Sequence, residues 1–193
     1  FQYGIGNFYD SKLQQTTELL NLLGTENYSF NEFKGELQKI GTTISFGSSR
    51  DYFTINIKGF DKYLAESLEY LDEFITNVKG EDEKINILLD NAKSMRKVEN
   101  EEPSTIGRAI RELAAFGNKS SYLRRMTIKD IEESKSSDYI ESFRNALGYE
   151  LDILYTGQLN PEIVSTTIKN QLTLSRYPSN SKSPIDRKMK SIK

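Results

Sequence analysis

The sequence predicts an α+β fold, a two-layer sandwich in which helices pack on one face of a mostly antiparallel sheet. Two segments, 43–46 and 52–57, alternate or cluster strand-forming residues, and the polar, glycine-containing stretch 47–51 joins them as a hairpin turn would. Longer segments repeat apolar residues at steps of three and four, which is typical of helices lying on a sheet. Because the helices cluster after the hairpin instead of alternating with strands, we expect antiparallel pairing.

The first elements are a short strand and a helix. Residues 1–6 alternate larger and small side chains, which indicates a strand. Asp10 and Ser11 have side chains that commonly cap helix N-termini. The leucines from Leu13 onward then predict a helix that ends at Gly24.

One helix precedes the hairpin and a longer one follows it. Ser29 and Glu32 match a capping box, so we expect a helix from this point to just before Gly41. Residues 60–78 place apolar side chains at helical spacing, and Gly80 is the expected terminator.

The rest of the domain is predicted to be helical apart from one strand. The expected helices lie around 85–95, from Pro103 to Gly117, from Thr127 (with Asp130 three residues on), from Asp138 to Leu147, and from Pro161 to about Leu174. Residues 149–155 alternate and predict the last strand, half buried on one side.

Length and charge limit the classes of partner. The 193 residues are enough for one substantial core, and 36% hydrophobic with 28% charged residues is the balance of a folded domain. The net charge of −2 gives no overall attraction to nucleic acid or to acidic membranes. No stretch approaches the roughly 20 apolar residues that span a bilayer. We therefore expect neither a nucleic-acid nor a membrane partner.

The chain contains no histidine and no cysteine. This excludes disulfides, thiolate catalysis, ordinary zinc sites and a serine nucleophile activated by histidine. Ser94, Ser120 and Ser134 have lysines nearby in the sequence, but such pairs arise by chance in a chain rich in both residues. The composition therefore predicts a non-catalytic module.

The two ends of the chain indicate where the folded domain stops and whether the chain is part of a larger protein. Residues 1–175 are expected to form one domain, and 176–193 a basic tail with six basic residues against one aspartate. The tail is predicted to be a solvated linker, with an arm that docks phosphate or an acidic partner as the alternative. Since Phe1 is not an initiator methionine and no signal-peptide pattern follows, we expect the chain to be excised from a larger protein, which leaves its compartment undetermined.

Three local patterns admit both a functional and a structural explanation. Gly4 and Gly6 follow the first strand as in a dinucleotide-binding loop, but the third glycine is replaced by Tyr9. The acidic stretch 99–102 lacks the spacing of a calcium loop and is predicted to be a solvated turn. Arg144 lies near a helix C-terminus, where we expect a surface residue and no peptide-binding group.

Several segments together resemble the insulinase/pitrilysin-type metallopeptidase domain. In that pattern a helix ends in Gly-Thr, a second helix leads to a glycine, two strands follow, and a long helix begins after them. The segments that carry the resemblance are 13–25, 28–32, 37–41, 48–52, 57–60, 111–122, 126–127 and 153–157. The resemblance covers roughly residues 1–174 and implies a metallopeptidase-domain-like fold.

Active members of this family have an inverted zinc motif, H-x-x-E-H, on the first helix. Counting back from Gly-Thr, the resemblance places the first histidine position at Gln15, the general-base glutamate at Glu18 and the second histidine position at Leu19. The distal glutamate ligand would fall near Asp90. Catalytic zinc needs about three protein ligands, and Leu19 cannot coordinate a metal. We therefore expect no catalytic residue, no metal and no cofactor in this segment.

The resemblance also implies a role and partners. Family members contain related domains in tandem, of which one holds zinc while the others help to enclose a chamber for peptides. This implies that the segment is a non-catalytic domain of a larger zinc metallopeptidase, from its C-terminal half, with zinc in another domain. Its expected partner is the catalytic domain of the same chain or of a partner subunit, with peptide as a second candidate. The alternative is an interaction or assembly module of a catalytically dead homologue.

Overall fold

The computed structural model describes residues 1–173, and the predicted basic tail lies outside the described residues. Four strands form the sheet, in the order β2-β3-β1-β4, and every neighbouring pair is antiparallel. Their bounds are Gln2–Tyr3 for β1, Thr43–Ser48 for β2, Phe53–Lys58 for β3 and Leu151–Asp152 for β4. The predicted hairpin is confirmed as β2 and β3, whose register places Phe46 opposite Ile55.

Nine α-helices lie in the described part of the chain. They are α1 Leu13–Leu20, α2 Phe30–Lys39, α3 Leu64–Asn77, α4 Ile85–Glu101, α5 Pro103–Phe116, α6 Ser121–Arg124, α7 Ile128–Glu133, α8 Ser136–Ala146 and α9 Pro161–Gln171. Short 3₁₀ turns at Asp61–Tyr63, Asp82–Lys84 and Gly117–Lys119 precede α3, α4 and α6. The α+β sandwich that the sequence predicts is confirmed. No described helix has the length and apolarity needed to cross a membrane.

An aromatic stack joins the sheet to the helix layer. Phe74 of α3 lies 4.9 Å from Phe46 of β2, measured between ring centroids. Phe143 of α8 lies 5.8 Å from both Phe46 and Phe53 of β3. All four rings are buried, and burial of aromatic area of this size is the main favourable contribution to folding. The alternation in β3 has therefore placed its apolar side chains toward the helices.

Helix α1 lies in the centre of the helix layer. It contacts β2, α8 and α4, so that it is surrounded on most of its circumference. Six of its eight residues are buried, including Leu13 and Leu19 with no exposed surface. Because so much of this helix is enclosed, a polar residue on it faces a neighbouring element or an internal cavity.

Two predicted helix starts are confirmed by their hydrogen bonds. The Ser29 amide donates to Glu32 Oε2 at 2.9 Å and the Glu32 amide donates to Ser29 Oγ, which completes the capping box of α2. The Thr127 amide donates to Asp130 Oδ2 at 2.7 Å in the matching box of α7.

Other predicted boundaries differ from the structure. Helix α1 ends at Leu20 and not at Gly24, and its N-cap is Lys12, whose amide donates to Asp10 Oδ1 at 2.9 Å. The long helix after the hairpin begins at Leu64, since a 3₁₀ turn occupies the preceding residues. It ends before Gly80, at Asn77. Helix α8 begins at Ser136, two residues before the predicted Asp138.

The strands at the β4 edge are shorter than predicted. The alternation at 149–155 predicts a seven-residue strand, but β4 covers only Leu151–Asp152, and just before it the Glu150 carbonyl accepts from the Gly4 amide at 2.8 Å. Among residues 1–173, β4 pairs with β1, which is itself two residues long, and each ladder hydrogen bond needs a residue on both strands. Beyond this point the Tyr155 hydroxyl donates to Asp61 Oδ1 at 2.7 Å, which holds the chain against the turn before α3.

Candidate functional site

The predicted site residues on α1 have different surroundings. Gln15 is buried, with 6% of its surface exposed, and no partner for its Oε1 lies among the described residues. Leu19 is fully buried in the hydrophobic core. Glu18 is half-buried, and burial raises the pKa of its carboxyl, an effect opposed by a hydrogen bond with the Gln14 side chain. Helix α1 thus presents one carboxylate, Glu18, and two side-chain amides, Gln14 and Gln15, to its polar side.

A cavity of about 260 Å³ lies beside this part of α1. Its walls come from α1, from α4, from the loop before α1 and from residues 121–125. Gln15 and Glu18 line it together, whereas Leu19 does not. The cavity is therefore the place where α1 meets α4, and it is the strongest candidate site in the described part of the chain.

The position predicted for the distal glutamate ligand lies elsewhere. Asp90 is on α4 but is exposed to solvent and does not line the cavity. The α4 side chains that bring charge to the cavity are Arg96 and Glu99, further along the helix. The structure therefore brings Gln15 and Glu18 together and leaves Asp90 apart from them.

Arginines and a glutamate organise the far wall. Arg125 Nη1 lies 3.0 Å from Glu99 Oε1 and 2.7 Å from Oε2, so that the pair ties α4 to the segment after α6. Arg124 Nη2 donates to the Phe8 carbonyl at 2.8 Å, and its guanidinium carbon lies 4.6 Å from the centre of the Phe8 ring. Arg96 donates through Nη2 to the Met126 carbonyl.

Sequence reasoning missed these arginines. Glu99 was expected in a solvated acidic turn, but it belongs to α4 and its side chain is only 25% exposed. Glu101 and Glu102 are exposed as expected. The three-residue step from Arg96 to Glu99 places both on one helix face, which is the only sequence signal for the group. Their convergence with residues 124 and 125 depends on long-range packing.

The cavity does not offer a zinc-binding donor set. Zinc in proteins is held by thiolate, imidazole and carboxylate ligands, about three of them at a catalytic site. A neutral amide at Gln15 and a hydrocarbon side chain at Leu19 do not supply them. Among residues 1–173, no three potential metal-binding side chains come together. The side chains of this cavity therefore do not fit a catalytic zinc ion.

The other sequence patterns have structural explanations. A Cβ atom at Gly6 would lie 2.5 Å from the carbonyl oxygens of Ser49 and Arg50, so that glycine is needed for close packing of two loops. Arg144 is exposed in the last turn of α8, as predicted. The Ser134 hydroxyl lies 2.7 Å from both the Ile131 carbonyl and the Tyr139 hydroxyl.

Comparison with solved structures supports the fold. The periplasmic protease PqqL from Escherichia coli superposes with a TM-score of 0.74 at 13% identity, over 97% of this chain and 21% of that chain. A protease from Helicobacter pylori superposes with a TM-score of 0.70 at 17% identity, over 98% of this chain and 48% of that chain. An M16 peptidase inactive domain from Pseudomonas fluorescens gives 0.69 at 11% identity, over 95% and 47%. The chain thus spans about a fifth to a half of the length of these proteins.

Comparison by sequence gives the family. No curated protein matches the chain. The family model for insulinase, peptidase family M16, matches residues 14–130, more than half of the chain and including all four predicted site positions. The match agrees with the resemblance seen in the sequence and with the fold. The chain therefore belongs to the insulinase family of peptidases, family M16.

Proposed function

We propose that this chain is a non-catalytic domain of a larger zinc metallopeptidase, in which it helps to enclose the chamber where peptides are cleaved. The observation that carries the proposal is the composition of α1. The sequence resemblance assigns the two histidine positions to Gln15 and Leu19, and Leu19 is fully buried in the core. Glu18 without a metal-bound water has nothing to activate.

The extent of the chain supports a role within a larger assembly. It covers about half of two similar structures, one of which is described as an M16 inactive domain, and a fifth of a third. The catalytic zinc is accordingly assigned to another domain, in the same chain or in a partner subunit. That domain is the proposed partner.

Helix α5 supplies a surface for such a partner. It has no buried residue, although Ile106, Ile110 and Leu113 recur at steps of four and three along one face. Ile110 is 61% exposed. An apolar helix face of this kind is typical of a surface that packs against another domain. The same face would serve the second candidate function, an assembly module of a homologue that is catalytically dead throughout.

Zinc content tests the absence of a metal site. After equilibration with zinc and exhaustive dialysis, we expect the chain to retain well under one equivalent by elemental analysis. A one-to-one content in the unaltered chain that disappears in Gln15→Ala would place a metal at α1 and overturn the proposal. Zinc retained equally by Gln15→Ala lies elsewhere, and the assignment of α1 as metal-free then stands.

Activity of the assembled protein separates the two candidates. In the protein in which this chain accompanies a zinc domain, Ile110→Asp is expected to lower peptide cleavage while the zinc content of that domain is unchanged. Arg108→Asp, an exposed α5 position outside the apolar set, is the matched control. Unchanged cleavage by Ile110→Asp would contradict a structural role for α5. An assembly without zinc or peptidase activity would instead identify the dead homologue.

A further inference from the structure

The cavity beside α1 carries more positive charge than its own carboxylates neutralise. Three arginines and two glutamates line it: Arg96, Arg124, Arg125, Glu18 and Glu99. Both oxygens of Glu99 are already engaged by Arg125. Burial raises the pKa of Glu18, which makes its negative charge less favourable in this place. With three arginines against two glutamates, the lining has an excess of one positive charge, which an anionic ligand would neutralise.

Arg96 is an arginine of the cavity that is not held in an ion pair within residues 1–173. Its Nη2 donates to the Met126 carbonyl, a neutral acceptor, and no ion pair joins it to a carboxylate among the described residues. Burial and then the neighbouring Arg125 lower the pKa of Arg96, only partly offset by Glu99 and Asp130. Arg96 is partly buried, and a guanidinium with donors to spare is stabilised by an anion that accepts from it.

Two other lining residues have unfilled hydrogen-bonding atoms. Arg124 Nε is buried and lacks an acceptor among the described residues, while the Phe8 carbonyl and ring hold the guanidinium in place. Gln15 Oε1 is buried and lacks a donor among them. Buried polar atoms are normally paired, so that these two atoms are available to hydrogen-bond with a molecule that enters the cavity. A ligand that satisfies both supplies an acceptor and an N–H donor.

Size and charge select the class of ligand. A volume of about 260 Å³ is well above that of a single small ion. One uncompensated positive charge matches a monoanion, whereas the two glutamates in the lining would repel a phosphate dianion more strongly. Apolar surface of Phe8, Met95 and Tyr122 also lines the cavity and suits a hydrocarbon side chain.

We propose that this cavity binds the carboxylate of an amino acid or a peptide C-terminus, with Arg96 as the principal charged group. The carboxylate accepts from Arg96 and from Arg124, which lines the same cavity, since planar guanidinium groups match carboxylate geometry. The adjacent amide N–H of the ligand donates to Gln15, and its side chain lies against Phe8 and Met95. This binding site goes beyond the enclosing role proposed above and needs no metal.

The test compares three small ligands on the unaltered chain by isothermal titration calorimetry. N-acetyl-leucine is expected to bind with a dissociation constant on the order of 1 mM, a value suited to a ligand of this size. N-acetyl-leucinamide, which has the same shape without the charge, is expected to bind at least about tenfold more weakly. Equal binding of acid and amide, or no binding of the acid at about ten times the expected constant, would overturn the proposal.

Free leucine distinguishes the two sources of the carboxylate. If leucine binds as well as N-acetyl-leucine, the ligand is a free amino acid whose ammonium group is tolerated beside Glu18. If only the acetylated form binds, the ligand is a peptide end, because an amide N–H is required and an additional positive charge is rejected beside the arginines. Each result supports the carboxylate site and assigns its occupant.

Two variants locate the site. Arg96→Gln is expected to weaken binding of N-acetyl-leucine about tenfold, whereas Arg108→Gln on the exposed face of α5 leaves it unchanged. Full binding by folded Arg96→Gln would contradict the assignment. If this variant does not fold, the comparison of acid and amide on the unaltered chain decides. None of these measurements depends on zinc or peptidase activity, so that failure here is distinguishable from failure of the proposed function.

Discussion

Asn21 and Phe46 are joined by two hydrogen bonds in which a side-chain amide takes the place of a neighbouring strand. Asn21 Nδ2 donates to the Phe46 carbonyl at 2.9 Å, and the Phe46 amide donates to Asn21 Oδ1 at 3.0 Å. Asn21 is the C-cap residue of α1, and β2 is an edge strand of the sheet. The pair satisfies outward backbone groups of that edge and fixes the end of α1 on it.

Asn21→Asp is expected to lower the free energy of unfolding by about 1–3 kcal/mol. The substitution keeps the shape but removes the donor to Phe46 and Thr17, and places a negative charge against two carbonyl oxygens. Urea denaturation measures the loss. Asn86→Asp, exposed in the first turn of α4, is the control and should be neutral or slightly stabilising, because an acidic residue is favourable there. Equal stability of Asn21→Asp and the unaltered chain would contradict the pairing.

The contribution of the Glu73 carboxylate to the free energy of unfolding changes with pH in the acid range. Burial by itself raises the pKa of Glu73, but hydrogen bonds from Thr25, Asn77 and Asn27 together bring it below its ordinary value. Thr25 Oγ1 lies 2.7 Å from Oε1 and Asn77 Nδ2 lies 2.6 Å from Oε2. Because the folded pKa is the lower one, the contribution is complete above the ordinary value of 4.5 and is lost as pH falls through the folded pKa.

Glu73→Gln should therefore flatten the fall in stability below about pH 4.5 that the unaltered chain shows. Denaturation with urea at a series of pH values measures the slope. Glu69→Gln, at an exposed position of the same helix, should leave the slope unchanged. The prediction fails if Glu73→Gln and Glu69→Gln give parallel pH profiles.

The substitution of glycine by alanine is expected to have opposite effects on stability at two positions. A Cβ atom at Gly24 would clash with the Tyr28 carbonyl oxygen and lie 2.7 Å from the Phe30 amide nitrogen, so that backbone must move. Gly24→Ala should cost about 1–3 kcal/mol of stability. A Cβ atom at Gly35 within α2 meets nothing within 4 Å, and Gly35→Ala should stabilise the chain by about 0.5–1 kcal/mol through helix propensity. Thermal and urea denaturation of both variants compare the signs directly.

Two isoleucines separate core packing from the exposed face of α5. Ile131 on α7 is fully buried, and Ile131→Ala should cost about 2–5 kcal/mol of stability. Ile110→Ala should change the stability of the chain by less than about 0.5 kcal/mol, since that side chain is 61% exposed. A large loss at Ile110 would show that α5 packs against its own chain and would remove the support that this helix gives to a docking surface.

Local chemistry made some elements predictable and left others undetermined. The capping boxes at Ser29 and Thr127 depend on residues three positions apart, and both are formed as predicted. The end of α1 was wrong by four residues, because the amide of Asn21 reaches a strand 25 positions away before Gly24 is reached. The length of β4 was wrong because it depends on the length of β1, at the other end of the chain.

The sequence by itself determined the α+β class, the β2–β3 hairpin, most helices and the absence of histidine and cysteine ligands. These follow from composition and from periodicity, which act within short stretches of chain. Only the tertiary structure decided which charged groups share a space. Asp90 points to solvent while Arg96, Arg124 and Arg125 converge beside Gln15 and Glu18, because helix packing brings residues together whose separation along the chain carries no signal.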